Sequence, residues 1–225
     1  MKNFTLILGG SSGLGKHLTA ELLQTKHGVL ALGRTQTGNP ALHEIHCDLT
    51  ESGDNILDRL DAFVSSHGPI SMFIWNAGYL SRSPSAELSS TDVFDMIDIN
   101  FRNSVVIALW VWRQMQANAS GHFCVIASTV GLSDTPRDDE AIYAATKAAQ
   151  VSFTRALGKN NRTPELKVTL FCPGGMKTNL WNDNQVDPTT FESFLDPMKV
   201  AQKMIHELNS QNTTYRELVI PRGSL

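Results

Sequence analysis

The side chains best placed to do chemistry together are Tyr143 and Lys147, which share one face of a helical stretch because they lie four positions apart. A free phenol has a pKa of about 10, too high for ready proton exchange at neutral pH. A lysine ammonium one helical turn away stabilises the phenolate and lowers that pKa, so the tyrosine can give a proton to an oxygen or take one from it. Ser128 ends an apolar run fifteen positions before Tyr143 and offers a hydroxyl to hold the same oxygen. A YxxxK pair alone is common by chance, and together with Ser128 it forms a candidate group for proton transfer at an oxygen atom.

A glycine-rich turn follows the first apolar run, Phe4–Leu8. In the segment LGGSSGLG, the informative spacing is that of Gly9, Gly13 and Gly15. Glycine lets the chain turn sharply and lets a pyrophosphate approach the amides at the start of the next helix. A plain glycine-rich turn is the alternative interpretation, but the position directly after the first strand favours a dinucleotide site. The residues expected to bind it are Gly9, Ser11, Ser12, Gly13, Leu14 and Gly15.

The end of the second apolar run indicates which dinucleotide binds. Enzymes that prefer NAD place a carboxylate here to accept the ribose 2′-hydroxyl, whereas this sequence has Gly33 followed by Arg34. A guanidinium can bind a 2′-phosphate through paired charge-assisted hydrogen bonds, and the hydroxyls of Ser11 and Ser12 can add donors. A solvated surface arginine is the alternative. The pattern predicts NADP(H) in preference to NAD(H).

Apolar strand-like runs alternate with helical periodicity along nearly the whole chain, as expected for repeated βαβ units. Such units form a parallel sheet with helices on both faces and bind ligands beyond the carboxyl ends of the strands. We predict a single domain over residues 1–225 with an α/β, Rossmann-like, doubly wound parallel sheet of about seven strands. The predicted strands are Phe4–Leu8, Val29–Leu32, Glu44–Cys47, Ile70–Trp75, His122–Ala127, Lys167–Phe171 and Glu217–Ile220. The predicted helices cover residues 14–23, 56–64, 90–118 (continuous or broken once), 140–159 and 197–208.

Six segments, in the right order and each at its expected strand end, resemble motifs of the short-chain dehydrogenase/reductase family. The glycine turn resembles that family's TGxxxGxG, with Leu8 where the family has threonine. Ser128, Tyr143 and Lys147 resemble its catalytic signature. Trp75 to Gly78 resembles NNAG, with Trp75 in place of the first asparagine. The other matches are Asp48-Leu49 after the third strand, Asn100 in DMIDIN, and Pro173 to Thr178, in which Met176 stands for isoleucine or valine. The resemblance runs from Phe4 to about Pro221.

The resemblance implies an oxidoreductase that moves a hydride between NADP(H) and a small carbonyl or alcohol substrate. Tyr143 would then be the general acid and base, and Ser128 would hold the substrate oxygen. Lys147 would bond the nicotinamide ribose, and Asn100 would anchor a water leading to Lys147. The cofactor contacts that the resemblance implies are Asp48 and Leu49 at the adenine, then Asn76, Ala77 and Gly78, then Tyr143 and Lys147, and finally Pro173, Gly174, Met176 and Thr178. The loss of the threonine hydroxyl at Leu8 and of the amide at Trp75 changes the hydrogen bonding beneath this site.

Composition argues against several other functions. The 225 residues are 41% hydrophobic and 18% charged, with a formal net charge of −3 and no basic block, so we expect no nucleic-acid partner. The longest apolar run, Val105–Trp112, is too short to cross a bilayer, so we expect no membrane contact. Cys47, Cys124 and Cys172 lie far apart without a CxxC pair, which favours buried thiols over a disulfide or a metal site. With no signal-like N-terminus, we expect a cytoplasmic protein.

Two other functions stay open. One is a non-catalytic NADP-binding regulatory protein with the same fold, although a sensor needs no proton donor such as Tyr143. The other is a pteridine-type reductase, but members of that group can lack the serine that is present here as Ser128. The substrate itself is not specified. In the short segment between Thr178 and Pro197, four apolar residues either cover the substrate or pack on the sheet: Trp181, Phe191, Phe194 and Leu195.

The central helices predict self-association. From Val105 to Trp112 the sequence is apolar around the whole helix circumference, which requires burial on the side away from the sheet as well. A second copy of the chain would provide that cover, with Val151 and Phe153 alongside; long loops of the same chain are the alternative. We therefore expect a homodimer or homotetramer formed through the helices at 101–118 and 140–159, which is also what the family resemblance implies.

Overall fold

Seven strands alternate with helices in the computed structural model, which describes residues 2–51, 55–181 and 186–224. The strands are β1 (Phe4–Leu8), β2 (Gly28–Gly33), β3 (His43–His46), β4 (Ile70–Trp75), β5 (Gly121–Ile126), β6 (Leu166–Pro173) and β7 (Tyr215–Ile220). The α-helices are α1 (Gly13–Leu22), α2 (Ile56–His67), α3 (Ser90–Ile97), α4 (Asn103–Ala117), α5 (Ala141–Asn160), α6 (Pro188–Glu192) and α7 (Pro197–Ser210). A π-helical turn covers Asp98–Arg102, and 3₁₀ turns cover Thr129–Leu132, Asp138–Glu140 and Asn179–Trp181.

The seven strands form one parallel sheet in the order β3-β2-β1-β4-β5-β6-β7. Leu8, at the end of β1, is in register with Leu32 of β2 on one side and with Trp75 of β4 on the other. The chain order reverses at β1, so the loops after β1 and β4 diverge and leave a crevice at the carboxyl edge. The prediction of a doubly wound parallel sheet of seven strands is confirmed.

Alternating side chains of the strands build a separate core on each face of the sheet. In β1, Leu6 and Leu8 pack on one face, in a cluster that includes residues of α2, α4 and α5. Ile7 points to the opposite face and packs with residues of α1 and α7. All three side chains are fully buried, and each such burial contributes about 1.5–3 kcal/mol to folding. The strand is therefore apolar on both faces, which fixes it at the centre of the sheet.

The helical stretch predicted over residues 90–118 consists of two α-helices joined by the π-helical turn Asp98–Arg102. A π turn contains one residue more per turn than an α-helix and therefore changes which side chains face the core. Asn100 lies in this turn and is completely buried. The interruption thus places a polar side chain beneath the carboxyl edge of the sheet.

The surroundings of α4 differ from the prediction at two positions. Trp110 is buried because α2 covers it, and its Nε1 donates a 3.0 Å hydrogen bond to Asp61 Oδ1. Val151 of α5, predicted to face a second copy of the chain, is buried in the core. Val106 remains 45% exposed on α4. The side of this helix away from the sheet is therefore covered by the chain itself at Trp110 and open at Val106.

No helix in the described ranges combines the length and the apolar character that a membrane crossing requires. The three cysteines are buried free thiols in this structure.

Candidate active site

A cavity of about 480 Å³ lies at the carboxyl edge of the sheet, where β1, β2 and β4 end. Its size is typical of a site for a small organic molecule. It brings together predicted site residues that lie in distant parts of the chain. The predicted residues in its lining are Gly9, Ser11, Ser12, Gly13, Leu14, Arg34, Asp48, Leu49, Asn76, Ala77, Gly78, Tyr143, Lys147, Met176 and Thr178.

The predicted residues that the described part of the chain does not place in the lining are Gly15, Asn100, Ser128, Pro173 and Gly174. Asn100 and Pro173 are buried behind the cavity, at the π turn and at the end of β6. Gly15 is buried in the first turn of α1. These positions fit a supporting role rather than direct contact with a ligand.

The glycine turn brings the start of α1 close to the sheet. Gly9 adopts a φ of 84°, and a Cβ atom there would come within 2.8 Å of the Ala77 Cα. A Cβ atom on Gly15 would stand 1.9 Å from the Gly9 carbonyl oxygen. Only glycine therefore allows this close approach of backbone segments at either position.

The first turn of α1 is suited to an anion. Its N-cap residue, Ser12, makes no side-chain capping bond, and the first turn contains no acidic residue. The first amides of a helix have no partner within the helix, and the helix dipole adds partial positive charge at this end. Ser11, Ser12 and Gly13 line the cavity at the same place. The arrangement can hold a pyrophosphate.

Hydrogen bonds from β2 and β4 hold the glycine turn. The Gly9 amide donates to the Leu32 carbonyl at 2.8 Å, and Asn76 Nδ2 donates to the Gly9 carbonyl at 2.6 Å. The Leu8 carbonyl accepts from the Ala77 amide at 2.7 Å. Leu8 itself is completely buried. The threonine hydroxyl that the family has at this position is thus replaced by an apolar contact, with backbone and Asn76 bonds holding the turn.

The other end of the cavity has the features of a site for a substituted ribose. Gly33, Arg34 and Asp48 line it. Partial burial raises the pKa of Asp48, but hydrogen bonds from Thr50 and the nearby charge of Arg34 outweigh this, so the pKa is below its usual value. Arg34 is exposed, and no carboxylate occupies position 33. The residues present can hold a dinucleotide whose ribose bears a phosphate.

Tyr143 and Lys147 meet at the cavity wall. Lys147 Nζ lies 5.6 Å from the centroid of the Tyr143 ring. Burial lowers the pKa of Lys147 to about 8, an effect that the nearby Cys172 partly opposes. Burial also raises the pKa of Tyr143, and the charge of Glu140 raises it further. Burial is the larger cause of this rise in the chain without cofactor, whereas the lowering expected from Lys147 together with an oxidised nicotinamide stays a prediction. Near neutral pH the site consists of a neutral phenol beside an ammonium.

Asn100 connects three elements below this pair. Its Oδ1 accepts from the Tyr79 amide at 2.7 Å, and its Nδ2 donates to the Tyr79 carbonyl at 2.9 Å and to Thr146 Oγ1 at 3.0 Å. Its own carbonyl accepts from Gln150 Nε2 at 2.8 Å. The side chain of Asn100 therefore joins the loop after β4 to α5, and its backbone reaches towards Lys147 through Gln150.

Ser128 begins the 3₁₀ turn after β5, where its hydroxyl accepts a 3.3 Å hydrogen bond from the Val130 amide. That turn packs closely on α5, because a Cβ atom on Gly131 would come within 2.7 Å of the Lys147 backbone carbon. The backbone thereby links the position of Ser128 to that of Lys147. The structure places Ser128 at the start of this turn rather than in the cavity lining.

Trp75, the second departure from the family motif, is completely buried below the cavity. It stacks on Phe101 with ring centroids 6.3 Å apart and meets Phe153 edge-on at 6.2 Å. Its Nε1 has no hydrogen-bond partner within the described residues. The indole therefore replaces a polar contact of the motif with aromatic packing, and Asn76 supplies the side-chain amide that supports the glycine turn.

The segment after β6 forms the remaining wall. Met176 pairs with Leu195 in an isolated bridge, and both Leu195 and Phe194 are buried. Trp181 packs against Phe194 with ring centroids 4.9 Å apart. Of the two alternatives for these apolar residues, packing on the fold is the one observed for Phe194 and Leu195. Residues 182–185 of the segment lie outside the described residues.

Sequence reasoning missed several residues at the site. Gln150 is buried against Lys147, and a polar residue three positions after Lys147 on the same helix was the available signal. Tyr79 and Leu80 directly follow the Asn76-Ala77-Gly78 segment, so their place in the wall could have been inferred from adjacency. The lining residues without a sequence signal include Leu32, Thr35, Cys47, Ile99, Ile126, Asn179 and Leu180.

Known proteins of one family match this chain. The family model described as short chain dehydrogenase matches residues 3–188. An uncharacterized short-chain type dehydrogenase/reductase of Sinorhizobium fredii is 34% identical over 180 residues, which are 78% of this chain and 71% of that protein. Carbonyl reductase family member 4 of Xenopus tropicalis is 24% identical over 234 residues, which are 99% of this chain and 98% of that protein.

Solved structures share the fold at low sequence identity. The structure of ElxO with NADP bound has a TM-score of 0.84 at 22% identity and covers 100% of this chain and 99% of its own. An actinorhodin polyketide ketoreductase variant with NADPH has a TM-score of 0.84 at 23% identity, covering 99% and 97%. The fold, the match over residues 3–188 and the relative at 34% identity agree, so the chain belongs to the short-chain dehydrogenase/reductase family of oxidoreductases.

Proposed function

We propose that this chain, as one domain over residues 1–225, catalyses NADP(H)-dependent reduction of a small carbonyl compound or the reverse oxidation of the alcohol. One observation carries the proposal: Tyr143 and Lys147 line the same cavity as the glycine turn and Arg34. A proton donor and an anion site thus open onto one space. Binding of the dinucleotide along that space supplies the hydride donor or acceptor.

Tyr143 serves as the general acid in carbonyl reduction and as the general base in alcohol oxidation. Its raised pKa keeps the phenol protonated near neutral pH, which suits proton donation. Lys147 stabilises the phenolate as the proton leaves and bonds the ribose next to the nicotinamide. Ser128 directly follows Ala127 of the cavity wall and is assigned to the substrate oxygen, and Asn100 fixes the loop behind Lys147. These four residues are the proposed catalytic group.

The cofactor preference for NADP(H) rests on Arg34 and on the absence of a carboxylate at Gly33. A carboxylate there would repel a 2′-phosphate, whereas the guanidinium attracts it. The relatives support the same choice, because the ElxO structure has NADP bound and the ketoreductase structure has NADPH. The first turn of α1 receives the pyrophosphate, and Asp48 and Leu49 lie at the adenine end.

The proposal includes assembly of the chain as a homodimer or homotetramer through the helices at 101–118 and 140–159. Val106, on the first of these helices, is an apolar side chain that is 45% exposed, and a partner chain would cover it. The predicted partner is a second copy of the chain.

The function is tested with a panel of aldehydes, ketones, sugars, pteridines and acyl thioesters. Consumption of NADPH is monitored by absorbance, and the same panel is run with NADH. Tyr143→Phe keeps the ring and removes the hydroxyl, so turnover should fall by about 10²–10⁴-fold while NADPH binding survives. Tyr215→Phe makes the same change on β7, outside the cavity, and serves as the control. NADPH binding without turnover of any compound would instead indicate the non-catalytic regulator, and normal turnover by Tyr143→Phe would exclude the mechanism.

A further inference from the structure

Gln150 is a completely buried side chain on α5, one helical turn after Lys147. Lys147 Nζ donates to Gln150 Oε1 at 3.0 Å, and Gln150 Nε2 donates to the Asn100 carbonyl at 2.8 Å. The amide thus fills the space between the ammonium and the backbone of the π turn. The mechanism proposed above gives it no role.

The chemistry of the neighbours fixes the orientation of this amide. An ammonium only donates hydrogen bonds and a carbonyl only accepts them. The Gln150 oxygen must therefore face Lys147 and the nitrogen must face Asn100, as observed. In a flipped amide, the nitrogen would face the Lys147 ammonium and the oxygen would face the Asn100 carbonyl, so neither hydrogen bond could form. The side chain is matched to this position at both ends.

We propose that Gln150 is a positioning residue that holds the Lys147 ammonium at the cavity wall by linking it to the Asn100 carbonyl of the π turn. This inference rests on the proposed function, because it concerns the lysine that supports Tyr143. A second bond, from Lys147 Nζ to the Ile126 carbonyl at 3.3 Å, fixes the ammonium from β5. With two of its three donors engaged by the protein, the ammonium keeps one for the cavity.

The groups around the Lys147 ammonium decide which charges act on its pKa. Among the described groups near Lys147, the titratable ones are the Tyr143 phenol on α5 and the Cys172 thiol on β6. The π turn and β5 present Asn100 and a backbone carbonyl, neither of which titrates.

The test measures the pKa of Lys147 directly, by NMR of lysine labelled with ¹³C at Cε, in the protein without cofactor. Loss of one signal in Lys147→Met assigns the resonance. Gln150→Leu removes the acceptor, so the pKa of Lys147 should fall by about one to two units, as expected for one lost bond to an ion. Gln150→Glu places a carboxylate beside the ammonium and should raise that pKa. A structural role alone would not move the pKa in opposite directions.

Thr154→Val is the matched control. Thr154 is equally buried on α5 and donates to the Gln150 carbonyl at 2.7 Å, without a bond to Lys147. It should lower the melting temperature and leave the pKa of Lys147 unchanged. An unchanged Lys147 pKa in Gln150→Glu would overturn the proposal, even if Gln150→Leu did not fold. A shift in Thr154→Val as large as that in Gln150→Glu would overturn it too.

Kinetics supply a second measurement. The pH at which kcat declines on the alkaline side should move with the Lys147 pKa in each Gln150 variant, with KM for the substrate little changed. A kcat profile that stays in place while the pKa moves would contradict a link between Gln150 and the reaction. If the parent protein turned over no carbonyl compound, the proposed function would fail, and the NMR titration would still decide the role of Gln150.

Discussion

Replacing Lys147 with methionine should stabilise the fold while it removes activity. In the folded protein, burial lowers the pKa of Lys147 from its ordinary value of 10.5 to about 8. At about 1.36 kcal/mol per pH unit, keeping the charged form inside costs roughly 3 kcal/mol near neutral pH. The substitution also leaves the Ile126 carbonyl and the Gln150 oxygen without a donor, at about 1 kcal/mol for each acceptor, so about 2 kcal/mol of the gain is offset. We expect the free energy of unfolding to rise by roughly 1 kcal/mol near pH 7.

The pH dependence of unfolding distinguishes this cause from others. Between about pH 8 and 10.5 the unfolded chain keeps the Lys147 proton and the folded chain releases it. The contribution of Lys147 to stability therefore becomes less unfavourable as pH rises through this window, and the advantage of the variant should disappear. Urea unfolding of parent and variant near neutral pH and near the upper end of the window measures both quantities.

Lys26→Met is the control for the loss of a lysine charge, because Lys26 is exposed in the turn after α1. Its effect should stay within about 0.5 kcal/mol at both pH values. A Lys147→Met protein that is less stable than the parent near neutral pH, by an amount independent of pH, would refute the reasoning. Burial of the charged lysine would then not destabilise the parent protein.

Two further predictions concern the cofactor and the assembly. Arg34→Ala should weaken NADPH binding by about tenfold and leave NADH binding unchanged. Tenfold is the lower end of the effect expected for a lost charge-assisted hydrogen bond, because Arg34 is exposed. Adding Gly33→Asp should shift the preference towards NADH, since a Cβ atom there meets only Ser11 Oγ, at 3.9 Å. Fluorescence titrations measure the affinities for NADPH and NADH, and Arg113→Ala, which removes an exposed arginine elsewhere, is the charge control. Equal affinity of the parent for the two cofactors would contradict the role of Arg34. Light scattering should give a dimer or tetramer that Val106→Glu dissociates, and a parent mass of 24.7 kDa would contradict self-association.

The strands and the positions of the lining residues could be predicted because apolar runs and glycines act locally. Phe4–Leu8 and Ile70–Trp75 have the predicted bounds, and the other strands differ by a few residues at their ends. The carboxyl edge follows from parallel pairing, so residues at strand ends had to converge. Most of the predicted cofactor residues accordingly line the cavity.

What the sequence did not reveal depends on contacts between distant segments. The π turn at Asp98–Arg102 has no pattern of its own, since it follows from how α3 and α4 pack. Trp110 lies in the apolar run that a second copy of the chain was predicted to cover, but its indole N–H donates a hydrogen bond to Asp61 of α2. A helical neighbour of Tyr143 such as Lys147 can be identified from the sequence, whereas burial, the larger cause of the raised pKa of Tyr143, cannot. Burial is a property of the whole fold, and a spacing rule does not contain it.

The order of the strands also determines when each half of the site can form during synthesis. The bonds that hold the glycine turn join residues 8, 9, 32, 76 and 77, so all of their partners exist once β4 has left the ribosome. Tyr143 and Lys147 are made later, on a helix that packs against β6. Every bonding partner of the glycine turn is therefore synthesised before the helix that carries the proton-transfer pair. Since a domain folds as a unit, the turn still has to wait for the later strands, and the order of synthesis sets which contacts are available first.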